Sequence, residues 1–164
     1  MLRRAPCPTV ILRSEEEIKP QEFKRVLLPL DGSPLAERAL EAAQILAANL
    51  EITLLLLRVV ERSSYYGFGY DDKHMEEERR EASAYLLEVE KKLKEQHISV
   101  MTHVADGQAA DEIVDYAEVE GVDLIILSSR GYSGFDTWMF GSVAEKVMKG
   151  APCAILVIRQ EPFT

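Results

Sequence analysis

Glycines and serines cluster in a segment that could bind an anion. Gly131 and Gly134 follow an apolar run, and Gly141 and Ser142 come directly before a helical pattern. Glycine allows a ligand to approach the backbone closely, and the first amides of a helix have no partners within the helix, so this segment suits a phosphate group. The same residues also fit an ordinary Gly-rich turn with Ser142 as the helix N-cap. The residues alone leave both interpretations open.

A second polar turn follows the first apolar run of the chain. Residues 26–30 (VLLPL) are continuously apolar up to Pro29 and Leu30, and Asp31-Gly32-Ser33 follows. A short apolar run that ends at turn residues predicts a strand covered on both faces. Ser33 suits an N-cap and the proline after it suits the first helical position, so we predict a helix over residues 34–50.

Strand and helix patterns alternate through the rest of the chain. Further strands are predicted at residues 52–60, 98–104, 122–127 and 153–158, and further helices at residues 75–96, 109–120 and 142–149. This alternation predicts βαβ units and a mainly parallel sheet with right-handed crossovers. Ligands bind such sheets beyond the carboxyl ends of the strands, where the strand order reverses. Both polar turns are therefore expected at one edge of the sheet.

The order of these segments resembles the universal stress protein family. The family's pattern of glycine, two residues, glycine, nine residues and Gly-Ser corresponds to Ser128, Gly131 and Gly141-Ser142, with Ser128 replacing the first glycine. The strings VLLPLDGSPLAERAL and ADGQAADEIVDYAEVEGVDLIIL are similar to two further family segments. The resemblance covers residues 23–159. The replacement leaves two alternatives: the Cβ of Ser128 obstructs the ligand, or Ser128 is tolerated and adds a hydroxyl donor.

The resemblance implies an α/β fold, with an open five-stranded parallel sheet in the order 3-2-1-4-5 and helices on both faces. It also implies that ATP binds with Mg²⁺ where the order reverses, with Asp31 at the nucleotide or the ion and Val59 beside the adenine. No separate metal site is expected. The expected nucleotide-binding residues are Pro29, Leu30, Asp31, Val59, Ser128, Arg130, Gly131, Gly134, Gly141, Ser142 and Val143.

The length of 164 residues suits one domain. We expect residues 1–22 to be an N-terminal extension and residues 23–164 to be the nucleotide-binding domain. Within the extension, residues 9–12 either add a strand at a sheet edge or belong to a partly ordered tail. The last predicted strand is expected to form an edge of the sheet. The resemblance implies a two-fold homodimer through residues 153–159.

Composition excludes several classes of partner. The formal net charge is −9 and no basic stripe is present, which argues against nucleic acid. No apolar run approaches the roughly 18 residues of a membrane span. No secretory signal is visible and the cysteines are only Cys7 and Cys153, so a cytoplasmic location is expected.

We therefore predict a homodimeric stress-response or regulatory protein that binds ATP and has a protein partner of unknown identity. No catalytic base is evident, so any ATP hydrolysis is expected to be slow. The alternative is an interaction module of the same fold without nucleotide, which works through its dimer surface and the aromatic loop at residues 61–73. An enzyme that activates a substrate with the nucleotide is a third and more distant possibility.

Overall fold

Strands and helices alternate along the chain, as the sequence predicts. A computed structural model describes residues 8–12, 23–61, 72–129 and 140–158. The strands are β1 (Thr9–Ile11), β2 (Arg25–Pro29), β3 (Thr53–Val60), β4 (Ser99–Asp106), β5 (Leu124–Ser128) and β6 (Ala154–Ile158). The helices are α1 (Pro34–Asn49), α2 (Asp72–Glu95), α3 (Ala109–Val119) and α4 (Ser142–Gly150).

The described strands form one sheet in the order β1-β6-β5-β2-β3-β4. Strands β2 to β6 pair in parallel. They have the predicted order 3-2-1-4-5 when numbered from β2, so the predicted α/β fold is confirmed. The order reverses at β2, which lies between β3 and β5.

The sheet differs from the prediction at one edge. Strand β1 pairs antiparallel with β6, with Val10 opposite Leu156 and Ile11 opposite Ile155. The described sheet therefore has six strands rather than five, and the expectation that the last strand forms an edge is wrong. Of the two alternatives for residues 9–12, the structure shows the edge strand. Strand β1 pairs there because the edge of β6 presents backbone donors and acceptors that need hydrogen-bond partners.

The sheet is buried because helices cover both of its faces. In β3, Leu54 and Leu56 pack in a cluster with residues of α1 and α2, whereas Leu55 and Leu57 pack with residues of α3 and α4. Successive side chains of a strand point to opposite faces, so a strand covered on both sides is apolar throughout. Each fully buried leucine contributes about 1.5–3 kcal/mol of transfer free energy.

Helix α2 packs on the sheet mainly against β3 and β4. Its buried stripe contains Leu86, Val89 and Leu93, at helical spacing. The helix begins at Asp72, three residues before the predicted start. No described helix has both the length and the apolar character needed to cross a membrane.

Two adjacent leucines of α2 test this packing. Leu86 is 1% exposed and Leu87 is 59% exposed. We expect Leu86→Ala to lower the free energy of unfolding by about 2–5 kcal/mol, because it removes buried methyl groups and leaves a cavity. The matched control Leu87→Ala should change it by less than about 0.5 kcal/mol. Equal losses for the two variants in urea titrations would contradict the packing described for this helix.

Candidate functional site

A cavity of about 780 Å³ lies at the carboxyl ends of the central strands. It is lined by the ends of β2, β3 and β5 and by residues of α2, α3 and α4. The connections after β2 and β5 diverge where the strand order reverses, which opens a crevice in sheets of this kind. The cavity is therefore a consequence of the sheet order, and its size is ordinary for a small-molecule site.

The structure brings most of the predicted site residues to this cavity. Eight of them line it: Pro29, Leu30, Asp31, Val59, Ser128, Gly141, Ser142 and Val143. The other three, Arg130, Gly131 and Gly134, lie outside the described residues, as do residues 62–71 of the aromatic loop. These eight residues come from four separate segments of the chain and meet at one place.

The turn after β2 places Asp31 at the cavity. The Leu30 amide donates to the Leu57 carbonyl at 2.8 Å, which ties the turn to β3. Oδ1 of Asp31 accepts a hydrogen bond from the Ser33 amide at 2.9 Å. Ser33 is buried, and its hydroxyl accepts from the Ala36 amide at 3.2 Å. The predicted N-cap is therefore confirmed, and the turn is held at both ends.

The start of α4 forms a second wall of the cavity. Gly141 is the N-cap residue, with no side-chain cap, and its amide donates to the Ser129 carbonyl at 2.9 Å. Ser142 is the first helical residue, so the interpretation of Ser142 as the N-cap is wrong. The amides of a first helical turn have no carbonyl partner within the helix and lie at its positive end. This wall can accept an anionic group.

Ser128 ends β5 and lines the cavity between these two walls. Among the described residues other than glycine, only His97 has a positive φ. Ser128 therefore adopts a backbone conformation that an L-residue takes without strain. The backbone at position 128 therefore does not require the glycine that the family pattern has there.

Apolar side chains form a third wall. Val59, near the end of β3, and Leu127, near the end of β5, line the cavity together with Ala109 and Ile113 of α3. The start of α3 is held to the residue that follows β3, because the Ala109 amide donates to Oε1 of Glu61 at 3.2 Å. Such a wall can bury one face of a planar ring.

The cavity also has residues that the sequence analysis missed. Arg58, Glu78, Glu81 and Tyr85 line it on the α2 side. Tyr85 belongs to the helical stripe of α2, and such a stripe on its own indicates only core packing. Arg58 is not part of any motif found in the sequence. The one available signal was the position of Arg58 directly beside Val59, at the end of a strand that leads to the site.

A tyrosine in this group is held in its neutral form. The hydroxyl of Tyr85 donates to Oε1 of Glu37 at 2.7 Å. Burial raises the pKa of Tyr85 above its ordinary value, and the Glu37 carboxylate raises it further. Tyr85 therefore remains a hydrogen-bond donor through the neutral range of pH.

Carboxylates outnumber cations in the described lining. Asp31, Glu61, Glu78 and Glu81 face a single described cation, Arg58. An anionic ligand in this cavity would depend on backbone amides, on Arg58 or on an accompanying cation. Across the described ranges, no group of three or more histidine, cysteine or acidic side chains is arranged to hold a metal ion.

The sheet order and the crevice at its reversal define a doubly wound α/β domain of the kind that binds ligands at this edge. The model of the universal stress protein family matches residues 22–159. The chain belongs to the universal stress protein family, so the predicted resemblance is confirmed.

Several relatives and solved structures resemble most of the chain. Universal stress protein YxiE of Bacillus subtilis is 34% identical over 147 residues, which are 84% of this chain and 99% of that protein. Universal stress protein MJ0531 of Methanocaldococcus jannaschii is 30% identical over 156 residues, 92% of this chain and 88% of that protein. The solved structure of MJ0577 superposes with a TM-score of 0.80 at 27% identity, over 87% of this chain and 100% of that one. A universal stress protein in complex with cAMP shares the fold, with a TM-score of 0.60 at 21% identity over 84% of this chain and 98% of that one.

Two glycines test the constraint on the Asp31 turn. Gly32 has φ of +77°, and a Cβ there would lie 3.1 Å from Nη1 of Arg58. We expect Gly32→Ala to lower the free energy of unfolding by at least about 1 kcal/mol, from backbone strain and displacement of Arg58. Gly121→Ala is the matched control, because Gly121 has φ of +60° but no atom within 4 Å of the added Cβ.

The control should lose the strain contribution alone, about 1 kcal/mol. Chemical denaturation of the two variants measures the difference. A Gly32→Ala protein as stable as the unsubstituted chain would show that the turn does not require the left-handed conformation.

Proposed function

We propose that this protein is a stress-response regulator that binds an adenine nucleotide, ATP with Mg²⁺, in the cavity at the strand-order reversal. Membership of the universal stress protein family supports the role in stress responses. The observation that carries the nucleotide proposal is the meeting of three different walls in one cavity: an apolar wall, the Asp31 turn and the start of α4. Each wall suits a different part of a nucleotide.

The apolar wall suits the base. Val59 and Ile113 offer apolar surface to a planar ring, and the backbone of β3 ends beside them. We assign the adenine to this wall because a purine loses little by leaving water when its faces are covered by apolar side chains. Asp31 is assigned to the ribose or to the metal ion, since a carboxylate accepts hydroxyl hydrogen bonds and also binds Mg²⁺.

The start of α4 suits the phosphates. The amides of Ser142 and Val143 belong to the first helical turn, and Gly141 leaves that end of the helix without a side-chain cap. Phosphate oxygens accept hydrogen bonds from such amides and are attracted by the helix dipole. Ser128, Arg130, Gly131 and Gly134 are proposed to complete this part of the site.

Magnesium is proposed to arrive with the phosphates. The net charge of −9 and the carboxylates of the cavity repel a bare polyphosphate. Mg²⁺ neutralises part of that charge, takes oxygen ligands and retains several waters, so it needs few protein ligands. Where a protein carboxylate contacts the ion, we assign that role to Asp31 in the turn after β2.

Titration calorimetry with Mg-ATP at up to millimolar ligand tests the proposal. We expect a saturable heat for the unsubstituted protein. Gly141→Val should weaken binding at least about tenfold, because a branched side chain beside the first-turn amides obstructs the phosphates. The variant should remain folded, since the φ of −62° at Gly141 is accessible to valine.

The control is Lys149→Ala, at the opposite end of α4, where Lys149 pairs with Glu145 on the surface. It should bind Mg-ATP as the unsubstituted protein does. Adenosine and cAMP complete the panel of ligands and identify which part of the nucleotide is recognised. Absence of both heat and thermal stabilisation with all three ligands would contradict a nucleotide site.

We also propose that the protein forms a homodimer at the β6 edge of the sheet. In the five-stranded sheet expected from the sequence, residues 153–159 would form the edge and pair with their copies across the two-fold axis. Because β1 occupies the outer edge of β6, we propose that β1 contributes to the contact, with Val10 and Leu12 as its exposed apolar side chains.

Two edge residues test the dimer. Val10 on β1 and Met101 on β4 are each 52% exposed, at opposite edges of the sheet. We expect Val10→Asp to shift the protein from dimer to monomer in light scattering at micromolar concentration, because a charge would be buried in the contact. Met101→Asp should leave the dimer intact. A monomeric unsubstituted protein, or equal effects of the two variants, would contradict this interface.

The alternative function is an interaction module of the same fold that works without nucleotide in the cytoplasm. Its proposed surfaces are the dimer surface and residues 61–73, and most of the latter lie outside the described residues. The calorimetric experiment separates the two proposals, since a module would give neither heat nor a thermal shift with Mg-ATP.

A further inference from the structure

Arg58 is a cation inside the cavity, on the face of β3 opposite to Val59. It follows Leu54 and Leu56 in the strand alternation, so its side chain extends over the α1 and α2 side of the sheet. Half-buried, it lines the cavity together with Tyr85. A charged group in this position needs a structural or functional reason, because its burial costs free energy.

The guanidinium group contacts the turn that carries Asp31. Nη1 of Arg58 donates to the carbonyl of Leu30 at 3.3 Å. The same atom lies close to Gly32, since a Cβ added at Gly32 would be 3.1 Å from it. The Leu30 amide is already bonded to the carbonyl of Leu57, so both backbone groups of Leu30 are held by β3. Arg58 thus restrains the residue directly before Asp31.

Arg58 is itself held by a second layer of contacts. Its guanidinium carbon lies 5.8 Å from the ring centroid of Tyr85, within the range of a cation–π contact. The Tyr85 hydroxyl donates to Glu37 of α1. The ring of Tyr85 therefore connects α2 to α1 and supports the guanidinium group above it.

We propose that Arg58 is a positioning residue for the nucleotide site: it holds the Leu30–Gly32 backbone so that Asp31 is presented to the ligand, and Tyr85 orients Arg58. This inference rests on the proposed function for its ligand. The competing role is a direct contact between Arg58 and the phosphates, which the charge of the guanidinium group would also favour. The two roles differ in whether loss of the guanidinium group loosens the Leu30–Gly32 backbone and in whether a lysine at position 58 restores binding.

Four variants separate these roles. Arg58→Met keeps an unbranched apolar stem and removes the guanidinium group, and Arg58→Lys keeps the charge without the planar donor fork. Tyr85→Phe keeps the ring below Arg58 and removes the bond to Glu37. Arg79→Met is the matched control, because Arg79 is an arginine of α2 that pairs with Asp106 at 3.2 Å and does not line the cavity.

Two measurements are made on each folded variant: amide hydrogen exchange of the peptide covering residues 30–33 without nucleotide, and the Kd values of Mg-ATP and adenosine. For Arg58→Met we expect exchange in this peptide to accelerate about tenfold, the order set by loss of one charge-assisted hydrogen bond. Mg-ATP should bind more weakly and Arg58→Lys should not restore its binding; adenosine should weaken by the same factor where Asp31 contacts the ribose and stay unchanged where Asp31 contacts the ion. Tyr85→Phe should show a smaller change in the same direction, and Arg79→Met none.

Two outcomes would overturn the inference. Unchanged exchange in residues 30–33 of Arg58→Met would show that Arg58 does not hold the turn. A loss confined to Mg-ATP and restored by Arg58→Lys would assign Arg58 to the phosphates instead. If the unsubstituted protein binds neither ligand, the proposed function fails, and the exchange measurement still decides whether Arg58 restrains the turn.

Discussion

The parallel pairing of β2 with β3 on one side and β5 on the other is the constraint on which the site depends. Leu27 pairs with Leu55 in β3 and with Ile125 in β5, so β2 is fixed at the centre of the sheet. The chain leaves neighbouring strands in diverging directions at this point, and the gap between the connections becomes the cavity. Apolar burial on both faces of the sheet stabilises this arrangement, because loss of either helical layer would expose buried leucines to water.

The two polar walls of the cavity are hydrogen-bonded to the sheet where they join it. Leu30 is bonded to β3 through its amide, and Gly141 is bonded to Ser129 beyond β5. Polar groups that extend from such anchored backbone lose little further freedom on binding, which favours recognition. Arg58 and Tyr85 add a link from the turn to α2, the helix that closes the cavity on its remaining side. The site is thus a property of several elements together.

Strand β2 is predictable because its apolar run is continuous and ends at turn residues, β4 because its apolar residues alternate, and the helices because theirs recur at helical spacing. The boundaries were less so. Strand β4 extends to Asp106 because its last residues pair in register with Val60, and a pairing partner is not visible in local periodicity. The sequence indicates only core packing for Tyr85, because a helical stripe has the same pattern whether it packs on the sheet or lines a cavity. Arg58 is not visible as a site residue for a similar reason, since its contacts with Leu30 and Tyr85, which distinguish it from a surface arginine, join residues distant in the sequence.

The sequence by itself determined the alternation of strands and helices, the N-cap at Ser33 and the family, since each of these depends on neighbouring residues or on a short motif. Only the tertiary structure decided that β1 covers β6 and that Arg58 reaches the turn after β2. These features join residues distant in the chain: Val10 lies opposite Leu156, and 28 positions separate Arg58 from Leu30. Local sequence patterns do not register such distant pairs, and the packing of the sheet selects which of them meet.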